Sequence, residues 1–321
     1  MPATTRVFAT RRLPPAVTRR LTQSYDAVLN EDDRLLSPAE IAAGAEDCDA
    51  ILCCTTERFD RALIEALPRS VAIIATFSVG HEHIDLEAAR ARGIRVTNTP
   101  EVLNDATADI AMLLLLAAAR RAHEGARLLR EGRWALWTTT LLCGVHVSGK
   151  RLGIYGMGRI GQAVARRARG FDMVVHYHNR SRLQPELEQG AIYHADAEEM
   201  LPHCDFLSLN APSSPQTRKF LDTRRIGLLP DGAVVVNTAR GTLVDDDALI
   251  AALQSGKLAA AGLDVFEGEP RIDPRYREVE NAFLLPHVGS ATIETRDAMG
   301  FRCLDNFDAF FDGRQPPHAV A

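Results

Sequence analysis

Residues 151–182 constrain this chain more than any other stretch. A short apolar run, Leu152 to Tyr155, leads into Gly156-Met157-Gly158-Arg159-Ile160-Gly161. A helical run continues to Arg169, and a second apolar run spans Met173 to Tyr177. Strand, glycine turn, helix and strand form the context in which G-x-G-x-x-G becomes a dinucleotide-binding fingerprint. Gly156 is expected to allow the tight turn, Gly158 to let backbone approach a pyrophosphate, and Gly161 to let helix and sheet pack closely. Arg159 and Ile160 open the helix, whose unpaired N–H groups and dipole favour phosphate. About twenty residues after such a turn, an NAD site usually carries an acid for the ribose 2′-hydroxyl. Here the second strand runs into His178-Asn179-Arg180-Ser181-Arg182. Two arginines and no acid favour a 2′-phosphate. NADP(H) is therefore the expected cofactor, with NAD(H) at lower preference.

The same alternation recurs on both sides of this unit. Upstream, the apolar runs are Val7-Phe8-Ala9, Ala27-Val28-Leu29, Ala50 to Cys53, Val71 to Ala75, and Ile94-Arg95-Val96. Helical patterns lie between them at Pro15–Gln23, Ser37–Gly44, Asp60–Leu67 and Leu86–Arg92. Ser37-Pro38-Ala39-Glu40 has the residues of a capped helix start. A long apolar helix is expected over 101–120, buried between domains or subunits, followed by a less regular stretch over 123–149. Downstream, further strands are expected at Phe206–Leu209, Val234–Val236, Ala261–Val265 and Phe283–Leu285. Helices are expected at about Asp245–Gln254 and 291–312. Alternating strands and helices imply parallel sheets covered on both faces.

A dinucleotide supplies a hydride, so the chain must hold a substrate and move a proton. Arg240 follows a strand in Asn237-Thr238-Ala239-Arg240-Gly241 and has the fork geometry to clamp a carboxylate. Position alone does not separate it from a surface arginine. His287 ends the last strand and is a candidate general acid, with Glu269 as a carboxylate to hold its ring. A lone histidine is also an ordinary structural residue. Asp264 ends the strand before it. His81-x-His83 and His176-x-His178 lack a third ligand at sensible spacing, so no metal is expected.

Composition narrows the classes. The 321 residues suit two domains, and a net charge of −5 gives no reason to expect nucleic acid. Six cysteines without C-x-x-C spacing read as reduced thiols. The N-terminal residues have no apolar signal core, and the longest apolar run, Ile110–Ala119, is too short for a bilayer. No membrane association is expected, and a cytoplasmic location is.

Taken in order, Ser78-Val79-Gly80-His81-Glu82-His83-Ile84-Asp85, Asn98-Thr99-Pro100, Ala106-Thr107-Ala108-Asp109, Gly156–Gly161, Asn237–Gly241, Gly262–Phe266 and Pro286–Ser290 carry a pattern. The chain resembles the D-isomer-specific 2-hydroxyacid dehydrogenases over nearly its whole length. The resemblance implies an α/β fold of two Rossmann-like/flavodoxin-like doubly wound parallel-sheet domains with an active-site cleft between them. It implies a substrate-binding domain of residues 1–99 plus 291–321 and an NADP-binding domain of residues 100–290. It implies that Arg240 binds the substrate carboxylate and carbonyl, that His287 is the catalytic acid and that Glu269 pairs with it. The Val79-Gly80 backbone is expected on the carboxylate, and Asp264 on the nicotinamide carboxamide. Asn179, Arg180, Ser181, Arg182, Asn210, Ala211, Pro212, Thr238, Ala239 and Gly289 are expected to line the cofactor.

Within that family the chain looks most like the NADPH-dependent glyoxylate/hydroxypyruvate reductases. Trp134-Ala-Leu-Trp137 supports this, and by resemblance Trp137 reaches a neighbouring subunit's site in a homodimer. No arginine occurs at Cys53 to Thr56 or just before Ser78, which disfavours a phosphorylated substrate. The alternatives are another 2-hydroxyacid dehydrogenase specificity, for a bulkier 2-oxo acid, or a dinucleotide-sensing, corepressor-like binding module.

Overall fold

The structure, a computed structural model, describes residues 5–321. The chain forms two compact units, one of residues up to Leu103 with Ser290–Ala321, the other Asn104–Gly289.

The first unit holds five strands: β1 (Arg6–Ala9), β2 (Asp26–Leu29), β3 (Ala50–Cys53), β4 (Ile73–Thr76) and β5 (Arg95–Thr97). They are all parallel, in the order β2-β1-β3-β4-β5, which is the flavodoxin-like doubly wound arrangement. Successive side chains on a strand point to opposite faces. Val7, Ala9, Leu52 and Ala75 therefore pack with Val17 and Leu21 of the helix Pro15–Ser24, and with Leu304 and Phe307 of the helix Ile293–Phe311. Phe8, Ile51, Cys53 and Ile74 pack on the other face with Ile41, Leu63, Ile64 and Ala88. Ser37 and Glu40 form the expected reciprocal cap. The C-terminal residues return to the edge of β5. Val320 N–H donates to Val96 O at 2.8 Å, and Thr97 bridges Ala319 antiparallel. That pairing covers an otherwise open strand edge.

The second unit holds seven strands: β6 (Arg151–Tyr155), β7 (Val174–His178), β8 (Ile192–His194), β9 (Phe206–Leu209), β10 (Ala233–Asn237), β11 (Leu258–Leu263) and β12 (Ala282–Leu284). All are parallel, in the order β12-β11-β10-β9-β6-β7-β8. The order reverses between β6 and β9, which is where open α/β sheets bind ligands at their carboxyl ends. The expectation of two doubly wound parallel-sheet α/β domains holds.

Several elements differ from expectation. The long helix begins at Asn104 rather than near 101 and ends at Ala119, because Glu101 takes a left-handed backbone (φ 74°). Its burial needs no second domain or subunit. Ala108, Ala111, Leu114, Leu115 and Ala118 pack on Ile154, Val164, Val234 and Val236 of its own unit. Gly262 of β11 makes this possible, since a Cβ there would lie 2.8 Å from the Leu114 backbone oxygen. The stretch 123–149 is not wholly irregular, for Ala122–Arg130 is a helix. It lacks a capping side chain, and Arg121 enters it left-handed, so no start signal is visible in the sequence. β8 and the short helices Pro185–Glu188, Ala197–Met200 and Thr223–Leu228 were also missed. Elements of a few residues carry too little periodicity to read. Among the described residues, no helix is long and apolar enough to cross a membrane.

Candidate active site

The glycine turn lies at the switch point of the second sheet, and Gly156 and Gly161 are there for separate physical reasons. Gly156 has φ 95°, and a Cβ there would lie 2.6 Å from Ala211 N, in the Asn210-Ala211-Pro212 loop after β9. Only glycine tolerates both conditions. A Cβ on Gly161 would lie 2.6 Å from Gly156 O, so helix and turn meet backbone to backbone. Gly158 meets nothing within 4 Å on its Cβ side, and it caps the helix Arg159–Arg169 without a side-chain bond. That end leaves its first N–H groups for an anion. Asn210 Oδ1 and Thr238 Oγ1 nearby are buried polar atoms with no hydrogen-bond partner among the described residues. Open backbone over a helix N-terminus, with unsatisfied acceptors beside it, suits a dinucleotide.

Side chains of the loop after β7 are tied into its own unit. Asn179 Oδ1 accepts from Met157 N at 2.6 Å, so its side chain braces the glycine turn. Arg182 is engaged by Glu188 through Nε at 2.8 Å and Nη2 at 3.0 Å, and its guanidinium lies over the Tyr193 ring. Glu188 is itself buried and also accepts from Tyr177 Oη at 2.5 Å. Arg182 first, then Tyr177, hold its carboxyl down to about 2. Arg180 and Ser181 are exposed, and Arg180 makes no ion pair among the described residues.

Arg240, Glu269 and His287 come from three successive strand ends. Asn237, fully buried at the end of β10, shapes the first loop: its Nδ2 donates to Arg240 O at 2.9 Å and its Oδ1 accepts from Ala239 N at 3.0 Å. Gly241 is required because a Cβ would sit 1.9 Å from Phe266 C. That close approach sets the Arg240 loop against the loop carrying Glu269. His287 Nδ1 lies 2.5 Å from Glu269 Oε1, and Glu269 Oε2 accepts from Phe266 N at 3.2 Å. Burial pushes the Glu269 carboxyl up, but the hydrogen bond and charge of His287, the Phe266 N–H and the Arg240 charge outweigh it and hold the group below its usual value.

Sequence reasoning missed how His287 is held. The residue has φ 54°, uncommon for a side chain other than glycine. Asp264, nearly fully buried, fixes that conformation. Its Oδ1 accepts from Val288 N and its Oδ2 from Gly289 N, each at 2.7 Å, and its backbone O accepts from His287 N at 2.8 Å. Burial raises the Asp264 carboxyl despite those two donors. Both carboxylate oxygens are thus occupied by backbone.

In the first unit, Val79 and Gly80 follow β4 and are half-buried. Trp137 is 70% exposed, alongside exposed Trp134, Leu136 and Leu141. Such a run of exposed large apolar residues marks an interaction surface more often than a solvated one.

A doubly wound pair of units, with a dinucleotide turn in one and an Arg–Glu–His group at adjoining strand ends, defines a nucleotide-dependent dehydrogenase. The sequence pattern of the D-isomer specific 2-hydroxyacid dehydrogenase NAD binding domain matches residues 112–289, more than half of the chain. The chain is 43% identical over 318 residues to the glycerate dehydrogenase of Hyphomicrobium methylovorum, covering 98% of this chain and 99% of that protein. It is 41% identical over 321 residues to the glyoxylate reductase of Thermococcus litoralis, covering 98% and 96%. Among solved structures, the NADPH-dependent glyoxylate/hydroxypyruvate reductase from Sinorhizobium meliloti, in complex with NADP and malonate, superposes with a TM-score of 0.88 at 34% identity, covering 99% of this chain and 97% of that one. The chain belongs to the D-isomer-specific 2-hydroxyacid dehydrogenase family.

Proposed function

We propose that this protein reduces a small 2-oxo acid, of the glyoxylate or hydroxypyruvate kind, to the D-2-hydroxy acid, with NADPH preferred over NADH. The observation that carries the reading is the 2.5 Å contact between His287 Nδ1 and Glu269 Oε1 beside Arg240. With Nδ1 held by Glu269, Nε2 is the nitrogen left to carry the reacting proton. His287 gives that proton to the 2-oxo oxygen in reduction and takes it back in oxidation. Arg240 and the Val79 and Gly80 N–H groups hold the substrate carboxylate. Asp264 and Glu269 fix the backbone and ring of His287, so its direction is set before substrate arrives. The nicotinamide, when bound, supplies the hydride.

Gly156, Gly158, Gly161, Arg159, Ile160, Asn210, Ala211, Pro212, Thr238, Ala239 and Gly289 would hold the dinucleotide. Arg180 would meet the 2′-phosphate, and Arg182, already anchored, would flank it. Trp137 and its apolar neighbours support a homodimer with Trp137 at the partner's site. Sedimentation equilibrium checks this, and a monomer at micromolar concentration would remove it.

The test of function is NADPH oxidation with glyoxylate, hydroxypyruvate, pyruvate and bulkier 2-oxo acids. Fastest turnover is expected with the first two. Preference for a bulky 2-oxo acid would shift the substrate class. No turnover with any acid, alongside tight NADPH binding, would favour the binding module instead.

A further inference from the structure

The segment Asn98-Thr99 after β5 has no place in the reaction described above, yet it reaches the loop after β4 at two adjacent peptides. Thr99 N donates to Ser78 O at 2.9 Å, and Asn98 Nδ2 donates to Val79 O at 2.7 Å. A third tie comes from within the loop, where Ser78 Oγ donates to Gly80 O at 2.6 Å. Ser78 Oγ and Thr76 Oγ1 are 2.8 Å apart, and Thr76 Oγ1 lies 3.0 Å from His83 Nε2. Asn98, Ser78 and Thr76 are all buried, so these bonds form away from competing water.

Peptide geometry turns these ties into a direction. A trans peptide is planar, with its C=O and N–H pointing opposite ways. Tying down Ser78 O therefore aims Val79 N–H away from Thr99. Tying down Val79 O aims Gly80 N–H away from Asn98. Two consecutive N–H groups are thus turned outward, and among the described residues neither donates to another group of the chain. The half-buried Val79 and Gly80 present them at the carboxyl end of β4. A pair of fixed, unpaired backbone donors suits a carboxylate, and its worth depends on not having to reorganise when the anion arrives.

The geometry points to Asn98 as a positioning residue for substrate: its side-chain amide locks the Val79–Gly80 peptide so that the Gly80 N–H is held ready for the substrate carboxylate. This rests on the reading that those N–H groups bind the carboxylate. Asn98 touches neither substrate nor cofactor in this role. It acts on how tightly the acid binds rather than on proton transfer.

The experiment compares Asn98→Asp, which keeps the shape but puts acceptors against Val79 O, with Asn98→Ala, and with Ser78→Ala on the other side of the loop. Each full-length enzyme is assayed for glyoxylate kinetics, for inhibition by oxamate (a carboxylate) and by oxamide (its neutral analogue), for NADPH affinity and for thermal midpoint. Removing one such donor should raise the glyoxylate KM and the oxamate Ki together by about tenfold, with Asn98→Asp the larger. The turnover number and NADPH affinity should stay within about twofold, because the proton donor is untouched. Unchanged KM and Ki in the folded variants would overturn the positioning role. So would equal losses in turnover and NADPH affinity, which a general structural defect produces. If oxamide inhibits the wild-type enzyme as well as oxamate does, no carboxylate is being read, and the parent reading falls instead.

Discussion

At the scale of single residues, two expectations separate chemistry from scaffolding. If His287 is the proton donor as proposed, His287→Ala should lower turnover by about 10²–10⁴-fold while leaving NADPH affinity nearly intact. Turnover equal to the wild type would reject His287 as the proton donor. The two arginines after β7 should also part company. Arg180 is exposed and makes no ion pair among the described residues, whereas Arg182 is bound by the buried Glu188. Arg180→Ala should weaken NADPH and leave NADH nearly unaffected, while keeping the thermal midpoint. Arg182→Ala strips Glu188 of its cation, so it should lower the midpoint as well, with a smaller change in NADPH affinity. Titration of each variant with both cofactors is the check, and equal losses of NADPH and NADH on Arg180→Ala would sink the 2′-phosphate assignment. The pairing of Arg182 is one of the things the sequence hid. Glu188 lies six residues on, in a short helix with no periodic signal, and nothing in the chain order marks it as a partner.

At the scale of elements, close backbone approaches decide which segments can touch. The helix Asn104–Ala119 meets β11 at Gly262, where a Cβ would be 2.8 Å from both Leu114 Cβ and Leu114 O. Gly262→Ala must push the helix off the sheet, and overpacking of this kind costs about 1–3 kcal/mol. Urea unfolding should show the loss as a lower midpoint with an unchanged slope. A midpoint equal to the wild type would mean that the helix shifts freely. The elements themselves were largely legible. Ser37-Pro38-Ala39-Glu40 predicted a capped helix, and the cap is present. The glycine turn predicted strand, turn and helix, and Gly156 and Gly161 are each required by a close backbone approach. What failed were the pieces of a few residues and the helix Ala122–Arg130, which starts from a left-handed arginine with no cap.

At the scale of the whole molecule, the clearest expectation concerns acid. His176 is buried, with its Nδ1 2.9 Å from His194 Nε2 and its ring stacked on His203, while the charges of Arg151 on the neighbouring β6 and of Asp205 just before β9 also act on it. Burial first, then His194 and His203, push its pKa down to about 4 from an ordinary 6.5. His194 and His318 are also lowered, each mainly by burial. A histidine whose pKa is depressed on folding binds protons more readily in the unfolded chain. Its penalty is absent above about 6.5 and grows as pH falls toward about 4. The thermal midpoint should therefore drop between pH 7 and pH 4.5, and His176→Gln should flatten that drop. An equal slope in the variant would show that other groups govern acid stability.

The sequence by itself was enough for the alternation of strands and helices, the dinucleotide turn and the family to which the chain belongs. These are written in short stretches, where neighbours in the chain are neighbours in space. Tertiary structure alone decided the rest: that Asn179 braces the glycine turn, that Asp264 spends both oxygens on the backbone beside His287, and that Asn98 sets the peptide before Gly80. Each of those partners is 19 to 25 residues away along the chain. Parallel strands carry their following loops to one end of a sheet, so hydrogen bonds form there between residues that no local pattern connects.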